Sequence, residues 1–190
     1  MENSYVVHKD SHVLVVDPGG HADIIASVID KNETVDAILL THGHEDHTGA
    51  VDELVNMFHC NVYMSFKDLP LVDKDTCHLH SYAQPVQSKL TPVKGRLDIG
   101  VFHITTIPTP GHTHGSVCYI CENLIFSGDT LFAGSIGRTD LTDSSQSEMN
   151  ESLKLLTKLP LDFTVLPGHG GSTSIRQELN SNYYLMHGIL

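Results

Sequence analysis

The segment V-D-A-I-L-L-T-H-G-H-E-D-H-T-G-A-V-D-E-L-V-N-M-F-H, residues 35–59, constrains this chain more than any other. An apolar run of strand length ends in His42, His44, Asp46 and His47, and Val51, Leu54, Val55 and Phe58 then recur at helical spacing. Three imidazoles and a carboxylate crowded into one loop fill no core, and the histidines repel one another once protonated. Such a cluster needs a compensating partner. Upstream, HVLVVDPGG closes an apolar run with turn residues, and HADIIASVIDKN places Ile24, Ile25, Val28 and Ile29 at helical spacing. Residues 12–59 therefore predict strand, helix, strand, histidine loop and helix. That is a layered α/β arrangement, with the loop at the carboxyl end of a strand, where the sites of such folds collect.

Downstream, NVYM predicts a short strand, and residues 65–92, with Pro70, Pro85 and Pro92, predict an irregular segment carrying CHLHSYAQP. GRLDIG reads as a turn between strands, VFHITTIP as a strand, and VCYICENLIFSGD as a hairpin turning at Glu122-Asn123. A helix follows over SSQSEMNESLKLLTKL, opened by the capping-box pair Ser145 and Glu148, with Leu153, Leu155, Leu156 and Leu159 on its apolar side. DFTVLPGHGG predicts a strand ending in a glycine-rich loop, and STSIRQELNSNYYL a closing helix.

With no linker-like stretch, residues 1–190 read as a single domain, and 40% apolar content is enough for its core. The 23 acidic against 11 basic residues give a net charge of −12, which argues against nucleic acid as a partner; bound divalent cations would offset part of it. No run approaches the roughly 20 apolar residues of a membrane helix, and no basic-then-apolar leader opens the chain; both point to the cytoplasm. The cysteines read as reduced, mostly buried thiols, with Cys118 and Cys121 on opposite faces of an alternating strand.

Histidine is the compositional outlier, at 14 residues. Ligand-type side chains recur after strands at His112 in PTPGHTHGS, Asp129 in FSGDTLF and His169 in LPGHGG, each flanked by a glycine that lets the backbone crowd against a neighbour. Five imidazoles and two carboxylates exceed the four ligands of a tetrahedral zinc and suit two metals sharing a carboxylate. Asp17 is a candidate outer partner for a ligating histidine, as is His114. His78, His80 and His103 read as surface or core residues.

H-x-H-x-D-H at residues 42–47, followed by separated His112, Asp129 and His169, resembles the metallo-β-lactamase superfamily over nearly the whole chain. The resemblance implies an α/β fold, the four-layered αββα sandwich. It implies that His42, His44 and His112 hold one metal, Asp46, His47 and His169 a second, and that Asp129 bridges them. GDTLFAGSIGRTDL and PGHGGSTSIRQELNSNYYL are similar to compact glyoxalase II-like hydrolases. That likeness implies hydrolysis of a small S-acyl thiol, such as S-lactoylglutathione, by a hydroxide held between two divalent ions. Zinc is the first expectation, with iron or manganese as alternatives. Asp46 and Asp129 would orient the nucleophile, and Arg138 is the candidate substrate contact. The helical domain with which classical members contact glutathione has no counterpart in these residues, so the thiol is left open.

ENSYVV is similar to the second half of the family's opening hairpin, which predicts either a missing first strand or a sheet edge covered by another subunit of a homo-oligomer. The alternatives for activity are a mononuclear iron persulfide dioxygenase using His42, His112 and Asp129, a lactone hydrolase, and a non-enzymatic metal-holding module. Asp129 stands where β-lactam-hydrolysing members usually carry cysteine, which argues against antibiotic hydrolysis.

Overall fold

The computed structural model describes residues 2–73 and 85–187. The chain runs β1 (Tyr5–Lys9), β2 (His12–Val16), α1 (Ala22–Ser27), β3 (Thr34–Leu39), α2 (Glu45–Thr48), α3 (Val51–Phe58) and β4 (Asn61–Met64). After a 3-10 turn at Phe66–Asp68 come α4 (Leu69–Val72), β5 (Leu90–Pro92), β6 (Arg96–Ile99), β7 (Phe102–Pro108), β8 (Val117–Cys121) and β9 (Leu124–Gly128). The small ribbon β10 (Leu131–Phe132) and β11 (Ser135–Ile136) leads to α5 (Gln146–Leu156), β12 (Thr164–Pro167), β13 (Thr173–Ser174), α6 (Ile175–Ser181) and α7 (Tyr183–His187).

The strands form a five-stranded sheet in the order β1-β2-β3-β4-β5 and a six-stranded sheet in the order β13-β12-β9-β8-β7-β6. In the first, β2, β3, β4 and β5 run parallel and only β1 is antiparallel to its neighbour. In the second, β9 and β12 are parallel, and β7 points the same way because β8 is antiparallel to both β7 and β9.

Strand alternation builds the layers. In β2, Val13 and Val15 face the α1–α3 side while Leu14 and Val16 face the other sheet. In β8, Tyr119 and Cys121 point between the sheets while Cys118 faces α5, so the two thiols lie on opposite faces as expected. Three apolar layers result: helices on the first sheet, sheet on sheet, and helices on the second sheet. This is the four-layered αββα sandwich. Each fully buried Leu, Ile, Val or Phe contributes about 1.5–3 kcal/mol. Between the sheets the Tyr119 hydroxyl is satisfied, donating to the Leu40 carbonyl at 2.8 Å.

Several local expectations are corrected. α1 spans only six residues, and Ile24 and Val28 are exposed while Ala22 and Ile25 are buried. GRLDIG is a strand, β6, paired to β7, because Leu97 and Ile99 face the inter-sheet layer. The segment 65–92 contains the 3-10 turn, α4 and β5; His78 and His80 lie outside the described residues. The closing helix breaks at Asn182 into α6 and α7, and Leu155 of α5 points to solvent. The Ser145 half of the capping box forms, its hydroxyl accepting from Glu148 N at 3.2 Å, but the Glu148 carboxylate pairs with His114 Nδ1 at 2.7 Å. Among the described residues, no helix is long and apolar enough to cross a membrane.

Candidate metal centre

All seven sequence-predicted ligands lie at one edge of the sandwich, because the strands that carry them point the same way. Asp17 follows β2, His42 to His47 follow β3, and Asp68 follows β4; across the cleft His112 follows β7, Asp129 follows β9 and His169 follows β12. The histidine stretch is partly helical, since Asp46 and His47 sit in the single turn α2.

The ligand atoms converge in two sets. His44 Nδ1 is 3.1 Å from His42 Nε2 and 2.9 Å from His112 Nε2. On the other side, His169 Nε2 is 3.3 Å and His47 Nε2 is 3.9 Å from Asp46 Oδ2. Asp129 lies between the sets: its Oδ2 is 3.4 Å from both His112 Nε2 and His169 Nε2, and its Oδ1 is 3.5 Å from His47 Nε2. Two nitrogens on a tetrahedral zinc, each about 2.0–2.1 Å from the ion, stand about 3.3 Å apart, so the spacing suits a shared cation. His47 Nε2 and Asp129 Oδ1 are also buried with no hydrogen-bond partner, a costly arrangement that a bound cation relieves. The donor set fits a borderline divalent metal on both counts.

Neighbours fix which ring nitrogen faces inward. The Thr41 hydroxyl donates to Asp17 Oδ2 at 2.6 Å and so accepts from His42 Nδ1 at 3.1 Å, leaving His42 Nε2 for the site. His47 Nδ1 donates to Asp17 Oδ2 at 3.0 Å, and His112 Nδ1 donates to the Arg138 carbonyl at 2.9 Å. Asp17 thus partners a ligand-type histidine, as expected, and Thr41 N anchors it at 2.7 Å.

The metal-free electrostatics show where positive charge is wanted. Burial, and then His47, push His42 well below the usual imidazole range, and burial followed by the charge of His112 pushes His44 down to about 4. Burial also opposes charge on His47, yet Asp17 and Asp129 outweigh it and hold that imidazole well above its usual range. Burial works against an ionised Asp129, but the His169 and His47 imidazoles, 3.4 and 3.5 Å away, keep the carboxyl well below the usual range.

The flanking glycines are required by contact. A Cβ on Gly168 would lie 2.3 Å from Asp129 Oδ1 and 2.6 Å from His47 Cε1, and one on Gly111 would lie 2.5 Å from the Met149 backbone. Arg138 does not turn its guanidinium into the centre: the side chain is exposed and forms a two-pronged pair with Asp140 at 2.9 and 3.0 Å.

Sequence reasoning missed three supporting carboxylates. Asp68, 2% exposed, accepts from Gly43 N at 3.0 Å, Gly115 N at 2.7 Å and the Thr113 hydroxyl at 2.7 Å, tying the His42–His44 loop to the His112 loop. Its position after β4, matching Asp17 after β2, was the signal available. Asp143 places a buried Oδ2 3.8 Å from His44 Nε2. Glu2, whose carboxyl burial pushes up to about 8, lies with Oε1 4.0 Å from His47 Nδ1; nothing in its sequence context marks it.

A two-lobed histidine and aspartate cluster at the open edge of an αββα sandwich defines a class of metal-binding hydrolase folds. The profile of the metallo-beta-lactamase superfamily matches residues 1–169, and the chain belongs to that superfamily. It is 38% identical to the probable metallo-hydrolase YqgX of Bacillus subtilis, over 96% of this chain and 92% of that protein. It is 33% identical to a hydroxyacylglutathione hydrolase of Methylobacillus flagellatus, over 88% of this chain and 62% of that protein. Among solved structures it is similar to the B3 metallo-beta-lactamase BLEG-1, with a TM-score of 0.89 and 35% identity over 97% of this chain and 94% of the other. It is also similar to TTHA1623 in a di-iron-bound form, with a TM-score of 0.85 and 32% identity over 96% and 94% of the two chains. A further likeness is to ETHE1 from Myxococcus xanthus, with a TM-score of 0.77 and 26% identity over 96% and 78%.

Proposed function

We propose that this chain is a dinuclear metal-dependent hydrolase of small thioesters, of glyoxalase II type. The observation that carries the reading is Asp129, buried between two complete sets of ligand atoms, one of three imidazoles and one of two imidazoles and a carboxylate. His42 Nε2, His44 Nδ1 and His112 Nε2 would hold one divalent cation, Asp46, His47 Nε2 and His169 Nε2 the other, with Asp129 common to both. Zinc is the first choice, and the likeness to a di-iron protein keeps iron in view. Bound there, the cations lower the pKa of water from 15.7 toward about 7 and polarise an acyl oxygen.

The protein's own groups do the rest. Asp17 and the Arg138 carbonyl hold protons on the outer nitrogens of His47 and His112, so the inner lone pairs stay available. Asp46, half exposed at the mouth, and Asp129 at the floor orient the attacking water toward the acyl carbon. The carbon–sulfur bond breaks, and the sulfur leaves as a thiolate. Arg138 would meet the thiol moiety once its pair with Asp140 opens.

The test is metal content per chain by elemental analysis on protein purified without added metal, with assays of S-acyl thiols, lactones and a β-lactam. About two ions with thiol release supports the reading. One iron per chain with oxygen consumed on adding a persulfide overturns it in favour of the dioxygenase, and turnover of only the β-lactam or only lactones moves the substrate class.

A further inference from the structure

We infer that residues 2–4 form a clasp that positions His169 and His47, so that Asn3 governs occupancy of one half of the centre and not the other. The inference rests on the two-metal reading above. His169 stands in Pro167-Gly168-His169-Gly170-Gly171, a stretch whose three glycines give it more conformational freedom than any other ligand loop. Gly170, at φ +81, occupies the left-handed region. Asn3 grips this stretch at three points: its N–H donates to the Gly168 carbonyl at 2.7 Å, and its Nδ2 donates to the Pro167 and Gly170 carbonyls at 3.0 and 2.8 Å. Glu2 forms an isolated β-bridge with His169 itself, and the Tyr5 hydroxyl donates to Pro167 O at 2.7 Å.

The same strap reaches a second ligand of this half, His47. Glu2 Oε1 lies 4.0 Å from His47 Nδ1, and Ser4 Oγ accepts from Gly19 N at 3.3 Å, close behind Asp17. The opposite half, His42, His44 and His112, is organised by Asp68 through Gly43, Gly115 and Thr113. Asp17 and Asp129 reach both halves, but of these two halves the Asn3 side chain contacts only the His169 loop and Asp68 only the loops of the His42, His44 and His112 half. Asn3 touches neither ion nor substrate, so it acts as a positioning residue.

The test is a calorimetric zinc titration of the metal-free full chain, with zinc per chain after gel filtration, for wild type, Asn3→Ala, Asn3→Asp and Asp68→Asn. Wild type should bind in two steps. Asn3→Ala should weaken one step on the order of 10- to 100-fold, the usual effect of removing an outer partner of a ligand, and leave the other within about threefold. Asn3→Asp, which turns a carboxylate toward two carbonyl oxygens, should weaken that step at least as much, whereas Asp68→Asn should weaken the other step. A lower unfolding temperature of metal-free Asn3→Ala with both zinc steps unchanged would overturn the clasp as a purely structural feature. Equal weakening of both steps, or a single step in wild type, would overturn it too. Two-step zinc binding without thioester hydrolysis would instead sink the proposed function and leave the clasp standing.

Discussion

Replacing Asp68 with alanine tests how the loops around the metal centre are held. The change removes three hydrogen bonds, at 3.0 Å from Gly43 N, 2.7 Å from Gly115 N and 2.7 Å from the Thr113 hydroxyl. Thr113 keeps Ser116 Oγ at 2.8 Å, so the stranded groups are two backbone N–H donors. An unsatisfied buried donor costs about 1–3 kcal/mol, giving a loss of about 2–6 kcal/mol. Burial raises the Asp68 pKa, so its ionised form carries a cost that alanine does not, and this places the expected loss in the lower part, about 2–4 kcal/mol. For a chain of this size that lowers Tm by roughly 4–16 °C.

Asp68→Asn keeps the shape but turns an amide NH2 toward one donor. The cheaper orientation keeps Gly43 and Thr113 and gives up Gly115, so its loss should be about half as large. The pH dependence has a definite sign. The folded-state pKa is raised, so above the unfolded value of 3.8 the folded protein holds the proton more tightly, and this group's contribution falls as pH rises toward the folded pKa. The asparagine variant lacks that slope. Urea unfolding of the metal-free proteins reads both effects. An alanine variant within about 0.5 kcal/mol of wild type, or an asparagine variant less stable than alanine, would refute the reasoning.

Gly168→Ala should cut metal affinity by 10-fold or more, read as metal per chain, because the new Cβ collides with Asp129 Oδ1 at 2.3 Å and His47 Cε1 at 2.6 Å. In the metal-free protein, His44 has a folded pKa of about 4 against 6.5 unfolded, so its share of stability is present above pH 6.5 and lost as pH falls toward 4. The difference between wild-type and His44→Asn stability curves should therefore change by roughly 3 kcal/mol across that window, and a flat difference would contradict the burial argument. Ser145→Ala removes the cap bond to Glu148 N and should cost about 1 kcal/mol, or roughly 2–4 °C in Tm, without changing metal content.

What the sequence determined by itself is what depends on periodicity and donor chemistry. Alternation in VCYIC assigned Cys118 and Cys121 to the two faces of β8, and the strand-then-turn pattern put His42 to His47, His112, Asp129 and His169 at strand ends. The seven donors follow from residue type and spacing, because few other reasons exist to crowd imidazoles and carboxylates beside glycines. Tertiary structure alone decided the rest. A period-2 signal in GRLDIG is too short to separate a strand from a turn, and only pairing with β7 settles it. The helical spacing of Ile24 and Val28 does not say which face is covered; packing covers Ile25 and leaves those two outside. Which nitrogen of His47 and of His112 faces inward, and the roles of Asp68, Asp143, Glu2 and Asn3, rest on contacts that join residues far apart in the chain. Local sequence reports local preference, whereas these positions are fixed by which strand ends the two sheets bring to the same edge.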